Sequence, residues 1–124
     1  MLALTLDTGA LIALERADKR MRIVLDTASI EHVPIVVPAV VVAEWWRGAS
    51  RRRHDILEAV DVEPTTEYLA RVAGEAIAAL PGATVVDAIV MASAAQRGGM
   101  VYTSDVHDLD RLRERFPGVR LLRV

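Results

Sequence analysis

The stretch LALTLDTGALIAL, residues 2–14, decides the fold. Five residues that favour a buried strand, LALTL, are stopped by Asp7-Thr8-Gly9, and the segment that follows, ALIALERADKRMRIVLDTASI (10–30), is helical in composition. The same handover recurs down the chain. Residues 33–37 read as a second buried strand, and Pro38 suits the first turn of a helix that carries Glu44, Trp45 and Trp46 and closes at Gly48. Residues 51–58 read as helix, 59–62 as a short strand, and Pro64 as a stop. Between 66 and 80, Leu69, Val72, Ala73, Ala76, Ile77 and Leu80 form one apolar helix face that ends at Pro81-Gly82. A further helix over 84–96 reaches Arg97-Gly98-Gly99 and a strand over 100–103. Asp105 then opens a helix lined by Leu109, Leu112 and Phe116, and Pro117-Gly118 leads to a last strand over 119–122. Strands alternating with helices predict an α/β fold, a parallel sheet of four or five strands flanked by helices.

The composition agrees with one compact unit. The chain has 124 residues, 52% of them hydrophobic and 26% charged, enough for a core without staples. No repeat or Gly/Ser linker divides it, so residues 1–124 are expected to form a single domain. Absence of cysteine excludes disulfides, thiolate metal sites and a cysteine nucleophile, and makes the reducing cytoplasm the expected compartment. The longest apolar stretch, 33–43, contains Pro34 and Pro38 and is too short to span a bilayer, and MLALTLD, without a basic leader or cleavage pattern, is not expected to act as a secretion signal.

Four acids stand out. Asp7 and Asp105 sit just past the ends of expected strands, where open α/β sheets place ligands. Asp87 lies in a helix otherwise made of Val, Ala, Ile and Met, and Glu44 follows VVVA. Carboxylates in apolar surroundings require protons, cationic partners or a metal. The chain's one lysine is Lys19, and its arginines crowd into 47–53 and 111–123, so a shared divalent cation is the economical answer. Oxygen-only ligands favour Mg²⁺ or Mn²⁺. Each acid also has a structural reading. Asp7 suits a turn cap, Thr84-x-x-Asp87 a capping box, and Asp105 with Asp108 a helix N-terminus. Glu44 has less excuse, because a negative charge at the far end of a helix opposes the macrodipole.

Four segments in order, LTLDTGALIAL, VVAEWWRG, TVVDAIVMASA and VYTSDVHDLDRL, resemble the PIN-domain ribonucleases, and among these the VapC-like toxins. The resemblance covers nearly the whole chain. It implies that Asp7, Glu44, Asp87 and Asp105 hold Mg²⁺ or Mn²⁺, that Thr103 helps order the site, and that Asp108 is an additional, less regular acid. It further implies an RNA substrate cleaved to leave a 5′ phosphate, a homodimer, and silencing by an antitoxin. Gly9 departs from the pattern, standing where the family more often has Ser; Thr8 is a candidate to replace that hydroxyl.

Other residues bear on substrate and partner. Setting the four acids aside leaves 13 acidic against 15 basic side chains, a slight positive balance suited to a nucleic-acid reader. Arg47, Arg51, Arg52 and Arg53 form a basic cluster able to meet flanking phosphates, or else a solvated helix face. Trp45 and Trp46 offer a stacking face, although packing is the favoured reading. His32, His54 and His107 lack metal-ligand spacing. Among rivals, Asp7-Thr8-Gly9-Ala10 also matches the turn of retroviral-type aspartic proteases, but Ala-rich helices have no place in that all-β architecture. A receiver domain needs adjacent acids after the first strand and a late lysine, and both are missing. The remaining alternative is a catalytically silent α/β interaction module that binds an Arg-bearing partner in its acidic groove.

Overall fold

Two strands, β1 (Leu4–Leu6) and β2 (Ile35–Pro38), are buried along their full length. Apolar side chains on both faces require cover on both sides, which parallel strands receive from their crossover helices. The computed structural model describes residues 3–124, and Leu2 of the expected first strand lies outside them. After β1 come α1 (Thr8–Glu15) and α2 (Lys19–Ile30), and after β2 come α3 (Ala39–Trp45), α4 (Arg51–Glu58) and β3 (Asp61–Glu63). The second half comprises α5 (Glu67–Ala79), α6 (Val85–Gln96), β4 (Met100–Thr103), α7 (Val106–Leu112) and β5 (Arg120–Arg123). All strand pairs are parallel, in the order β3-β2-β1-β4-β5. The expected α/β class is therefore the observed one. Charged residues mark the two edges, Asp61 and Glu63 on β3 and Arg120 and Arg123 on β5, as suits strands with one unpaired side.

Helix α6 is the interior helix, with Ala88 through Ala94 all buried. It packs against α5, α7, α3, β1, β2 and β4. Its small side chains let these neighbours approach, and its position fixes where Asp87, in the first turn, emerges.

Several expected boundaries move, each for a local reason. Residue 33 is not strand, because its N–H closes α2 on the Ala28 carbonyl (2.8 Å), with His32 in a left-handed conformation between them. Pro38 ends β2 and caps α3 instead of entering its first turn; it pairs in register with Glu63. Trp46, with extended backbone, lies one residue past the end of α3, so Gly48 falls in the loop before α4 and does not close the helix. Residues 59 and 60 donate back to the Ile56 and Leu57 carbonyls, which delays β3 to Asp61. The last strand is likewise shifted one residue on, because the Val119 N–H turns back to the Phe116 carbonyl.

Candidate active site

From β1 the sheet grows one way through β2 and β3 and the other way through β4 and β5. Chains that leave adjacent strands in opposite directions open a crevice at the strands' carboxyl ends. Asp7 follows β1 directly, and Asp105 follows β4 after one residue. Pairing of Leu6 with Tyr102 levels the two strand ends, and the Asp7 N–H donates to the Tyr102 carbonyl at 3.2 Å. The register of the sheet thus brings together two acids separated by almost the whole chain.

Asp7 is buried and caps α1, its Oδ1 accepting the Ala10 N–H at 3.1 Å. The capping role and a place in the crevice coexist. Buried Thr103 links the two loops: its hydroxyl donates to Asp7 and accepts the Asp105 N–H at 2.8 Å. Burial pushes the Asp7 carboxyl up to about 6; the bonds from Thr103 and Ala10 oppose this, and the charges of Asp105 and Asp87 add to it. Asp87 is also held above the usual carboxylate range, first by burial, against the Thr84 hydroxyl, and then by Asp108, Asp105 and Glu44. Thr84 caps α6 by accepting the Asp87 N–H at 3.1 Å, as the capping-box spacing predicts. Asp105 stands at the cap position of α7 but makes no side-chain capping bond, which leaves its carboxylate uncommitted to the helix.

Glu44 reaches the same crevice from α3, where the Thr8 hydroxyl donates to its carboxylate. Sequence reasoning cast Thr8 only as a substitute for a hydroxyl at position 9, and no spacing rule could reveal a contact across 36 residues. Five acids thus gather at one end of the sheet around Asp87, which feels Asp108, Asp105 and Glu44, while Asp7 feels Asp105 and Asp87. Among the described residues none of them is paired with a cationic side chain, whereas Glu15, Glu63, Glu67 and Asp110 each have an arginine. Also among the described residues, no three acidic or histidine side chains stand so as to grip one metal ion. The donor set is all hard carboxylate oxygen without a countercharge, and it fits a hard divalent cation chemically.

The basic cluster divides. Arg53 forms an ion pair with Glu15 at 2.8 Å and donates to the Gly48 carbonyl at 2.6 Å. Arg52 donates to the Glu15 carbonyl at 2.9 Å, and Arg47 to the Glu44 carbonyl at 3.1 Å. Arg51 and Arg52 also line a groove of about 510 Å³ with Leu14, Leu25 and Ile56, on helices α1, α2 and α4; none of the five acids lines it. Trp45 is core, its indole N–H donating to Glu15 at 3.0 Å. Trp46 packs edge-on against Trp45 and His54, so packing accounts for both tryptophans. His32 and His107 are exposed.

A sequence model of the PIN domain matches residues 4–114. The chain belongs to the PIN-domain family. PIN domains are generally nucleases and typically use divalent metal ions. No curated protein sequence matches this one. The fold is similar to that in the VapBC2 complex of Rickettsia felis bound to a DNA fragment from its promoter, with TM-score 0.79, 14% identity, and 100% of this chain and 99% of that one covered. It is also similar to the DNA-bound VapBC of Salmonella typhimurium, with TM-score 0.76, 18% identity, and 99% and 98% covered. A toxin-antitoxin complex from Klebsiella pneumoniae gives TM-score 0.67 at 19% identity, with 94% and 95% covered. At such identities the likeness concerns the fold of this PIN domain.

Proposed function

We propose that this PIN domain is a metal-dependent endoribonuclease, the toxin of a toxin-antitoxin pair, acting in the cytoplasm as a homodimer and silenced by a cognate antitoxin. The observation that carries the reading is the group of carboxylates gathered around Asp7 and Asp87 at the crevice between β1 and β4, none of them, among the described residues, paired with a cationic side chain. Such a group is tolerable when a cation is shared. Asp7, Glu44, Asp87 and Asp105 are the residues to hold Mg²⁺ or Mn²⁺. Bound there, the cation would lower the pKa of water and neutralise charge on a phosphoryl group.

The chain's own residues do the rest. Thr103 orients Asp7 and the start of the Asp105 loop through one hydroxyl. Thr8 restrains Glu44, and the Asp7 cap fixes the first turn of α1. Arg47, beside Glu44, is best placed of the four arginines to meet a phosphate near the acids, with Arg51 and Arg52 further along; Arg53 is engaged by the framework. The likeness to toxin-antitoxin complexes supports an antitoxin partner, and an arginine-bearing segment would complement the acid cluster.

The test is RNA cleavage. Asp7→Asn and Asp87→Asn are expected to fold and to lose about a hundredfold or more in rate, and EDTA to abolish cleavage. A variant that cleaves at the unchanged rate removes that residue from the mechanism. A well-folded chain that cleaves nothing and ignores divalent ions is what the silent interaction module predicts.

A further inference from the structure

Gly9 has no room for a side chain. A Cβ placed on it would stand 2.0 Å from the Ser104 hydroxyl oxygen, 2.6 Å from the Ser104 Cβ and 3.0 Å from the Ser104 backbone nitrogen. Gly9 lies inside α1 without a left-handed backbone, so glycine is needed there for space, not for conformation. Rotating Ser104 would move only the oxygen; its Cβ and nitrogen belong to the loop itself. The serine that the family resemblance leads one to expect at position 9 would collide with Ser104, whose hydroxyl already stands in that place.

Ser104 lies between two members of the crevice. Thr103 donates to Asp7, and Asp105 donates its N–H back to Thr103. Pressure at Ser104 therefore acts on the loop that carries Asp105. We infer that residues 9 and 104 share a single side-chain seat. Ser104, filling it, is a positioning residue that sets how closely the β4–α7 loop, and with it Asp105, approaches Asp7. The consequence for metal holding rests on the nuclease reading above; the shared seat does not.

The experiment compares the unchanged chain, Gly9→Ser, Ser104→Gly and the double exchange Gly9→Ser with Ser104→Gly, reading Tm and calorimetric Mn²⁺ affinity. Gly9→Ser overfills the seat and is expected to lower Tm by about 5 °C. By displacing the loop it should weaken Mn²⁺ binding by about tenfold. Ser104→Gly empties the seat, weakening Mn²⁺ binding with little change in Tm. The double exchange fills the seat once again, and both readings should return close to those of the unchanged chain. Losses that simply add in the double exchange overturn the proposal. Recovery of Tm without recovery of Mn²⁺ affinity overturns the positioning role. If the unchanged chain neither binds Mn²⁺ nor cleaves RNA, the nuclease reading fails separately, and the Tm cycle decides the seat: recovery supports it and additivity overturns it.

Discussion

At Asp7, a capping bond to Ala10 and a hydroxyl from Thr103 hold in place a carboxylate that burial and two neighbouring acids push towards its protonated form. The shift has a sign for stability. A carboxyl that titrates near 6 in the folded chain and near 3.8 when free binds more protons folded than unfolded between those values, so stability falls as pH rises through that window and is flat above it. The cost at neutral pH is about 2–3 kcal/mol. Asn keeps the capping oxygen and removes the charge. In metal-free buffer Asp7→Asn should therefore be more stable than the unchanged chain at pH 7.5 by roughly that amount, with the difference vanishing below pH ~4. Urea unfolding at the two pH values checks this, and a variant equally stable at both would show that Asp7 carries no such strain. Asp7 could be singled out from sequence because a strand end followed by Asp-Thr-Gly is informative in itself. Its burial and its partner Thr103 could not, because they depend on β4 lying beside β1.

Among the helices, Glu15 is the residue that ties α1 to α3 and α4. Its carboxylate accepts the Trp45 indole N–H and pairs with Arg53, and its carbonyl accepts from Arg52. Glu15→Ala would leave the buried Trp45 donor without its acceptor and the half-buried Arg53 charge without its countercharge, at a cost of about 2–3 kcal/mol in denaturant unfolding. A loss below about 0.5 kcal/mol would mean that the contact is only a surface pair. Element types were readable because hydrophobic period and breakers agree, as in α6 and β4 around Arg97-Gly98-Gly99. Boundaries were not, since His32 and Trp46 act through backbone closures, and Pro38 through its pairing with β3, all invisible to a pattern of residue types. The contacts of Arg52 and Arg53 with Glu15 were hidden for the same reason: Glu15 is distant from them in sequence.

Over the whole molecule, the parallel sheet turns four scattered motifs into one acidic end. The order of segments could be read along the chain, and it was enough to place Asp7 and Asp105 at strand ends. Convergence with Glu44 and Asp87 required the strand order and the packing of α3 and α6. The structure keeps these acids near one another, and among the described residues no three close on a single point; on the proposed reading, a divalent ion would draw them together as it binds. That coupling is measurable as stability, because an ion that binds only the folded chain raises its unfolding temperature. The direct measurement is the Tm of the unchanged chain and of Asp87→Asn as Mg²⁺ is titrated at neutral pH. The account predicts a rise of about 5 °C for the unchanged chain once the ion is in roughly tenfold to hundredfold excess over its Kd, and little or none for the variant. Two flat curves, or two curves that rise together, would contradict it.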